Sequence, residues 1–112
     1  MVVVLGIGRK KCAGKLVGIS KEILNDIPRL FNIFFQAIVE SRATILNIVT
    51  TIFPENEGYH GCTFFATLAQ SHAWLETTPE LGTIEYEIET CGNETNPQKF
   101  VDHLSISLRS LL

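Results

Sequence analysis

The chain has 112 residues, which is enough for one domain with its own hydrophobic core and too few for two ordinary domains. Its composition, 46% hydrophobic and 19% charged, excludes the low-hydrophobicity, high-charge profile of a disordered protein. The formal net charge is −3, and the short basic run Arg9-Lys10-Lys11 is interpreted as a solvated turn, so nucleic acid is not expected as a partner. We predict a single folded domain over residues 1–112.

The cysteines and histidines give no sign of a metal site or a disulfide framework. Cys12, Cys62 and Cys91 form no CxxC pair and are odd in number, and the three histidines lack the spacing of metal ligands. The apolar stretch over residues 1–7 is too short for a membrane span or for the apolar region of a secretory signal. We therefore expect no metal, no membrane association and a reducing cytoplasm as the location.

The N-terminal part of the chain predicts strands. Residues 2–7 are rich in β-branched side chains and indicate a first strand. Residues 15–19 are a second candidate, after a turn predicted at residues 12–14. The pattern leaves open which of the two joins the main sheet.

The strongest helix signal follows. Ser20 can cap a helix, and apolar side chains recur at steps of three and four residues from there to Glu40. Pro28 lies inside this stretch, so either the first turn is separate or the helix effectively begins near Pro28. A second helix is predicted from Pro97, which suits a first helical position, to the end of the chain.

Four strands are predicted between these helices. An apolar, β-rich run covers residues 43–53, and a loop with Pro, Asn and Gly follows at residues 54–58. Residues 63–68 and 72–77 flank a hairpin, and residues 83–90 alternate strictly between apolar and glutamate side chains. Because the links are of hairpin length, we expect a mainly antiparallel sheet with both helices on one face. The predicted class is α+β, a two-layer sandwich.

A spaced set of polar residues lies between Gly61 and Gly92. Ser71-His72 follows a predicted strand, Thr63 lies eight residues before the serine, Pro79-Glu80 lies eight and nine after it, and Thr90-Cys91-Gly92 closes the last strand. This segment resembles the self-cleavage and active-site segment of the small prokaryotic S-adenosylmethionine decarboxylases, which make a pyruvoyl cofactor from an internal serine. The combined spacing carries the resemblance, since no single dipeptide in it is specific.

The resemblance implies that Ser71 is the precursor of the cofactor. Its hydroxyl would attack its own preceding carbonyl and convert the Gln70-Ser71 amide into an ester. A base would then remove the α-proton of Ser71, the ester would break by β-elimination, and the resulting dehydroalanine would hydrolyse. The products would be one chain ending at Gln70 and a second chain that opens with a pyruvoyl group at position 71.

The resemblance also implies roles for residues around Ser71. The pyruvoyl carbonyl would form a Schiff base with the substrate amine, and the amide of the pyruvoyl group would act as an electron sink when carbon dioxide departs. Cys91 would return a proton to the substrate carbon, and the Thr63 hydroxyl would support processing. Glu80 would bind the ribose hydroxyls of S-adenosylmethionine, and an aromatic side chain near the loop, Phe53 or alternatively Tyr59, would stack on the adenine.

Two positions depart from the family pattern. Glu76 stands where the family has the histidine that serves as base in self-cleavage, and a carboxylate is a weaker base than histidine at neutral pH. Thr78 stands where the family has a tryptophan that helps to hold the adenine, while Trp74 lies four residues upstream. We therefore expect this chain to differ from the family in its processing step and in its substrate.

Three hypotheses remain open from the sequence. The first is an S-adenosylmethionine decarboxylase of spermidine biosynthesis, for which the resemblance implies a homodimer with active sites at the interface. The second keeps the pyruvoyl chemistry but takes a basic amino acid, ornithine or arginine, because the stacking tryptophan is missing. The third is an unprocessed homologue that acts as a dimerisation or regulatory partner, as Glu76 suggests. Without the motif, Ser71 would be an ordinary turn residue and Cys91 a small buried one.

Overall fold

One antiparallel sheet dominates the computed structural model, which describes residues 2–6 and 9–111. Its strands are β1 (Val3–Gly6), β2 (Arg9–Leu16), β3 (Ile45–Ile52), β4 (Cys62–Leu68), β5 (Ser71–Thr78) and β6 (Thr83–Cys91). Within the described ranges these six strands pair in the order β1-β2-β6-β5-β4-β3, each antiparallel to its neighbour. The prediction of an antiparallel sheet is confirmed.

The helices begin where the sequence places their caps. They are α1 (Lys21–Leu24), α2 (Ile27–Glu40) and α3 (Pro97–Arg109), with a 3-10 turn at Pro79–Leu81. The Ser20 hydroxyl accepts a hydrogen bond from the Ile23 N–H and caps α1, and the Asp26 carboxylate accepts one from the Arg29 N–H and caps α2. The first turn is separate, as α1, and the long helix begins at Ile27 with Pro28 in its first turn, so both alternatives describe the structure. No helix in residues 2–6 and 9–111 is long and apolar enough to cross a membrane.

The N-terminal strands differ from the sequence prediction. Residues 9–16 form β2, so the turns predicted at residues 12–14 and at Arg9-Lys10-Lys11 are wrong. Arg9 and Lys11 belong to the strand because they form ion pairs with Glu89 and Glu87 of β6, and the Lys10 ammonium donates a hydrogen bond to the Thr95 carbonyl oxygen. Gly14 belongs to it because the Tyr86 side chain crosses over it: a Cβ at position 14 would lie 2.5 Å from the Tyr86 hydroxyl oxygen. Both candidate regions contribute to the sheet, but the second does so only through residues 15–16, because β2 ends at Leu16 and residues 17–19 follow it outside any strand. Residue 7 of the first region lies outside the described residues.

The core lies between the sheet and the helices α2 and α3, which share one face of the sheet. Phe34 of α2, Phe64 of β4 and Phe100 of α3 are fully buried at its centre. The ring centroids of Phe34 and Phe64 are 5.5 Å apart, and those of Phe34 and Phe100 are 5.9 Å apart with the rings at 85°. One buried ring thus joins both long helices to the sheet, and the α+β two-layer architecture is confirmed.

Replacing Phe34 by alanine is expected to lower the free energy of unfolding by about 3–5 kcal/mol, because the cavity opens where both helices meet the sheet. Chemical denaturation of the purified variant measures the loss. Ile106→Ala on α3 is the matched control, since that side chain is 67% exposed and should change the free energy of unfolding by less than about 0.5 kcal/mol. Equal losses in the two variants would contradict this packing.

The other side of the sheet, which we call the free face, has no helix over it among the described residues. Val49 of β3 and Phe65 of β4 are cross-strand neighbours on this face and are 53% and 43% exposed. Half-buried Trp74 of β5 is the next neighbour of Phe65 in the same row. A row of apolar side chains across three strands is therefore open to contact with another surface.

Candidate active site

Ser71 begins β5 directly after the two-residue turn Ala69-Gln70. Gln70 has a φ of 62°, in the left-handed region that favours glycine. The Ser71 Oγ is buried and has no hydrogen-bond partner in the described part of the chain. A serine with only a turn role would normally form a hydrogen bond with nearby backbone. A buried serine hydroxyl without a hydrogen-bond partner is therefore unusual at this position.

Cys91 lies at the same end of the sheet as Ser71. His72 of β5 pairs with Glu89 of β6, and continuing that register places Gln70 opposite Cys91. The Cys91 thiol donates a hydrogen bond to the Gln70 side-chain oxygen, with Sγ and Oε1 3.3 Å apart. We call Gln70, Ser71 and Cys91 the Ser71 end.

The turn after β6 holds the chain that carries Cys91. Gly92 has a φ of 110°, which a residue with a side chain rarely adopts. The Thr95 hydroxyl lies 2.9 Å from both the Thr90 hydroxyl and the Gly92 carbonyl oxygen, and Thr90 is fully buried. The Thr-Cys-Gly motif thus ends β6 with a fixed turn on one side of Cys91 and a core residue on the other.

The three cysteines differ in their surroundings. Burial raises the pKa of the Cys12 thiol, and it raises the pKa of the Cys62 thiol despite an opposing hydrogen bond with Thr77. Both thiols are therefore held protonated inside the core. Cys91 is partly exposed, which leaves it as the cysteine that solvent or a substrate can reach among the three.

Thr63 and Glu76 form a second group. They are cross-strand partners on β4 and β5, and the Thr63 hydroxyl donates a hydrogen bond of 3.0 Å to Glu76 Oε1. Glu76 is five residues from Ser71 along β5, which is about 16 Å at the rise of a strand. An odd separation also puts the two side chains on opposite faces of the sheet. Within one chain, Glu76 cannot reach Ser71.

Glu80 and Phe53 lie at the same end as Glu76. Glu80 belongs to the 3-10 turn that follows β5, and its Oε1 accepts a hydrogen bond of 3.3 Å from the Asn56 side chain. The Phe53 ring packs against Gly61, where a Cβ would lie 3.1 Å from a ring carbon. We call Thr63, Glu76, Glu80 and Phe53 the Glu76 end.

Tyr59, the alternative candidate for stacking, is held elsewhere. Its hydroxyl donates a hydrogen bond of 3.3 Å to Glu22 of α1, and the Lys21 ammonium lies 5.7 Å from its ring centroid. The next residue is also tied to this region, because the His60 N–H donates a hydrogen bond of 2.8 Å to the Asn25 side chain. These contacts fasten the loop after β3 to the short helix and favour Phe53 over Tyr59.

A charged network lies on the free face between the two ends. Glu87 Oε1 is 3.0 Å from His72 Nε2, its other oxygen is 3.3 Å from the Lys11 ammonium, and Glu89 is 3.0 Å from the Arg9 guanidinium. Burial acts to raise the pKa of Glu87, but hydrogen bonds from His72 and Lys11 and their charges outweigh it, so that pKa lies below its ordinary value. Glu87 and Glu89 of β6 are therefore each paired with a basic residue of β2.

Comparison with known proteins agrees with the motif. The family model for S-adenosylmethionine decarboxylase matches residues 10–110. The chain belongs to this family. The S-adenosylmethionine decarboxylase proenzyme of Synechococcus sp. (strain WH7803) is 33% identical over 102 residues, which is 91% of this chain and 77% of that protein. The proenzyme of Pyrobaculum neutrophilum is 34% identical over 97 residues, or 86% and 75% of the two chains.

A solved structure shares the fold of this S-adenosylmethionine decarboxylase family member. The crystal structure of the adenosylmethionine decarboxylase from Aquifex aeolicus VF5 superposes with a TM-score of 0.76 at 21% sequence identity, covering 92% of this chain and 81% of that one. The fold expected from the resemblance is thereby confirmed.

One residue of the site was not singled out from the sequence. Gln70 was named only as the residue before the cleavage point, whereas the structure joins it to Cys91 and gives it a left-handed backbone. The available signal was its place in a two-residue link between strands, where a positive φ is usual and glycine or asparagine is the common choice.

Proposed function

We propose that this chain is a self-processing, pyruvoyl-dependent S-adenosylmethionine decarboxylase that serves spermidine biosynthesis. The observation that carries the proposal is the buried, unbonded Ser71 hydroxyl next to a left-handed Gln70, inside the segment that resembles the family's processing site. The relatives named above are described as proenzymes of this activity. The unpaired thiols suit a reducing cytoplasm as its location.

The residues around position 71 fit the formation of a pyruvoyl group. The Ser71 hydroxyl is not engaged, so no existing hydrogen bond must break before it attacks the Gln70 carbonyl carbon. A left-handed backbone costs a residue with a side chain about 1–2 kcal/mol. That strain lies beside the bond to be cut and is relieved when the chain is opened.

The finished group would supply an electron sink for the carbanion that remains after carbon dioxide departs. Cys91 would hold the proton that is returned to the substrate carbon, since its partly exposed thiol lies at the Ser71 end. Glu80 would accept hydrogen bonds from the ribose hydroxyls, and Phe53 would stack on the adenine. Thr63, already bonded to Glu76, would orient the carboxylate that removes the Ser71 α-proton.

The separation of the two ends supports a homodimer with shared sites. The free face is open and carries an apolar row. By strand alternation both Glu76 and Cys91 lie on this face, and the strand pairing puts them at opposite ends of it. A two-fold arrangement that packs two free faces with reversed strand directions would lay the Glu76 end of one subunit against the Ser71 end of the other. Each site would then combine Cys91 of one subunit with Glu76 of the partner subunit, which would approach the Ser71 backbone from the side opposite the Ser71 hydroxyl.

Mixing two inactive variants tests the shared site. Glu76→Gln alone is expected to slow self-cleavage by about 10²-fold or more, because the base is lost. Co-expression with Ser71→Ala chains, which still carry Glu76, should restore cleavage of the Glu76→Gln chain in the mixed dimers. Mass spectrometry of the separately tagged chains measures the cut fraction. Cleavage of the Glu76→Gln chain that stays equally slow with and without the other variant would contradict a shared site.

Intact-mass spectrometry of the purified wild-type protein tests the proposal as a whole. Two chains are expected, one ending at Gln70 and one that begins with a pyruvoyl group at position 71. A carbonyl reagent such as phenylhydrazine should add to the second chain alone. A single full-length species would remove the pyruvoyl mechanism and favour the unprocessed homologue.

A further inference from the structure

We propose that Gln70 is a positioning residue that holds the Cys91 thiol in the uncut chain and releases it when the bond between residues 70 and 71 is cut. The cut itself rests on the proposed function above. The holding contact does not, because it belongs to the full-length chain and can be measured there.

The contact lies one step beyond the last backbone pair of two strands. His72 and Glu89 form that pair, and Gln70 and Cys91 face each other next to it on the free face. Their link is a side-chain hydrogen bond, which the Cys91 thiol donates to the Gln70 amide oxygen over 3.3 Å. The thiol proton that the reaction would use is therefore directed at the Gln70 side chain.

The backbone of Gln70 explains why cutting would end this contact. The residue keeps its φ of 62° while Ala69 and Ser71 hold it from both sides. Ala69 is anchored, because its N–H donates a hydrogen bond of 2.9 Å to the Thr44 carbonyl, and Ser71 is anchored by its pairing with Leu68. After the cut, Gln70 is a chain end that can return to the ordinary backbone region and carry its side chain away from Cys91.

Alkylation of the cysteines measures the contact without any need for decarboxylase activity. In Ser71→Ala, which keeps the chain full-length, adding Gln70→Ala should raise the rate at which iodoacetamide modifies Cys91 by about two- to tenfold, the range of one hydrogen bond. A left-handed backbone costs alanine about as much free energy as it costs glutamine. The substitution therefore removes the side-chain amide without changing how readily the turn forms. Peptide mass spectrometry reads each cysteine separately, and the buried Cys12 and Cys62 report whether the fold is intact.

Two further variants separate positioning from a general effect on structure. Gln70→Glu keeps an acceptor oxygen and adds a negative charge, so Cys91 should react as slowly as in the Ser71→Ala parent or more slowly. Gln36→Ala removes an exposed glutamine of α2 and should leave the Cys91 rate unchanged. In the cut wild-type protein, Cys91 should react as fast as in the uncut Gln70→Ala variant.

An unchanged Cys91 rate in Gln70→Ala would overturn the proposal, as would faster modification in Gln70→Glu. A cut wild-type protein whose Cys91 stays as slow as in Ser71→Ala would overturn the release. If the wild-type chain is never cut, the proposed function fails and release is excluded with it, while the comparison in Ser71→Ala still decides whether Gln70 holds the thiol.

Discussion

Replacing Ser71 by alanine should leave the chain full-length and without decarboxylase activity. Alanine has no hydroxyl to attack the Gln70 carbonyl, so neither the ester nor the pyruvoyl group can form. The loss should be complete, because no other hydroxyl in the described structure is placed one residue after a left-handed turn residue at this end of the sheet. Intact mass and carbon dioxide release from the same preparation measure the two effects together.

Ser107→Ala provides the control for this variant. It makes the same chemical change on α3, where the side chain is half-buried and lies outside the Ser71 end. Its cut fraction should equal that of the wild type. Fragments breaking between residues 70 and 71 in Ser71→Ala would contradict the assigned nucleophile, since cleavage would then arise from another group or from a contaminating protease.

Replacing Cys91 by alanine should separate processing from turnover. The chain should still be cut, because Ser71 and its base remain, but decarboxylation should fall by about 10²- to 10⁴-fold, the usual contribution of a positioned proton donor. Steady-state carbon dioxide release per pyruvoyl group is the appropriate measure, since it corrects for any uncut chain. Product analysis should also show a larger share of product that was protonated at a carbon other than the one that lost carbon dioxide.

Cys12→Ala is the matched control, because that thiol is buried in the core, on the opposite face of the sheet from Cys91. It should keep turnover close to the wild-type value while losing some stability. A Cys91→Ala enzyme with unchanged turnover per pyruvoyl group would contradict the donor role. A variant that fails to cut at all would instead place Cys91 in processing.

The parts of the fold that follow local periodicity could be predicted from the sequence. The glutamates of β6 alternate with core residues, and the apolar stripe of α2 repeats at helical spacing, so both elements could be recognised without knowing their neighbours. Arg9, Lys11 and Gly14 were misassigned because their partners, Glu89, Glu87 and Tyr86, lie on a strand far later in the chain. A local pattern carries no information on such pairing.

In the candidate site too, the sequence predicted which residues matter but not how they are arranged in space. Motif spacing identified the residues, but spacing alone does not give distance: five residues are about 16 Å apart on a strand and about half that on a helix. The structure puts Glu76 on β5 and so separates it from Ser71 of the same chain. The contact of Gln70 could not be predicted, because its backbone angle and its hydrogen bond with Cys91 arise only when β4, β5 and β6 are assembled.

The most direct test of the central proposal is carbon dioxide release from carboxyl-labelled substrates by fully cut protein. S-adenosylmethionine should be decarboxylated, and ornithine and arginine at the same concentration should give no more release than the Ser71→Ala control. Thr78→Trp should then improve the KM for S-adenosylmethionine, as a restored stacking surface predicts. Release from ornithine or arginine, with none from S-adenosylmethionine, would contradict the account.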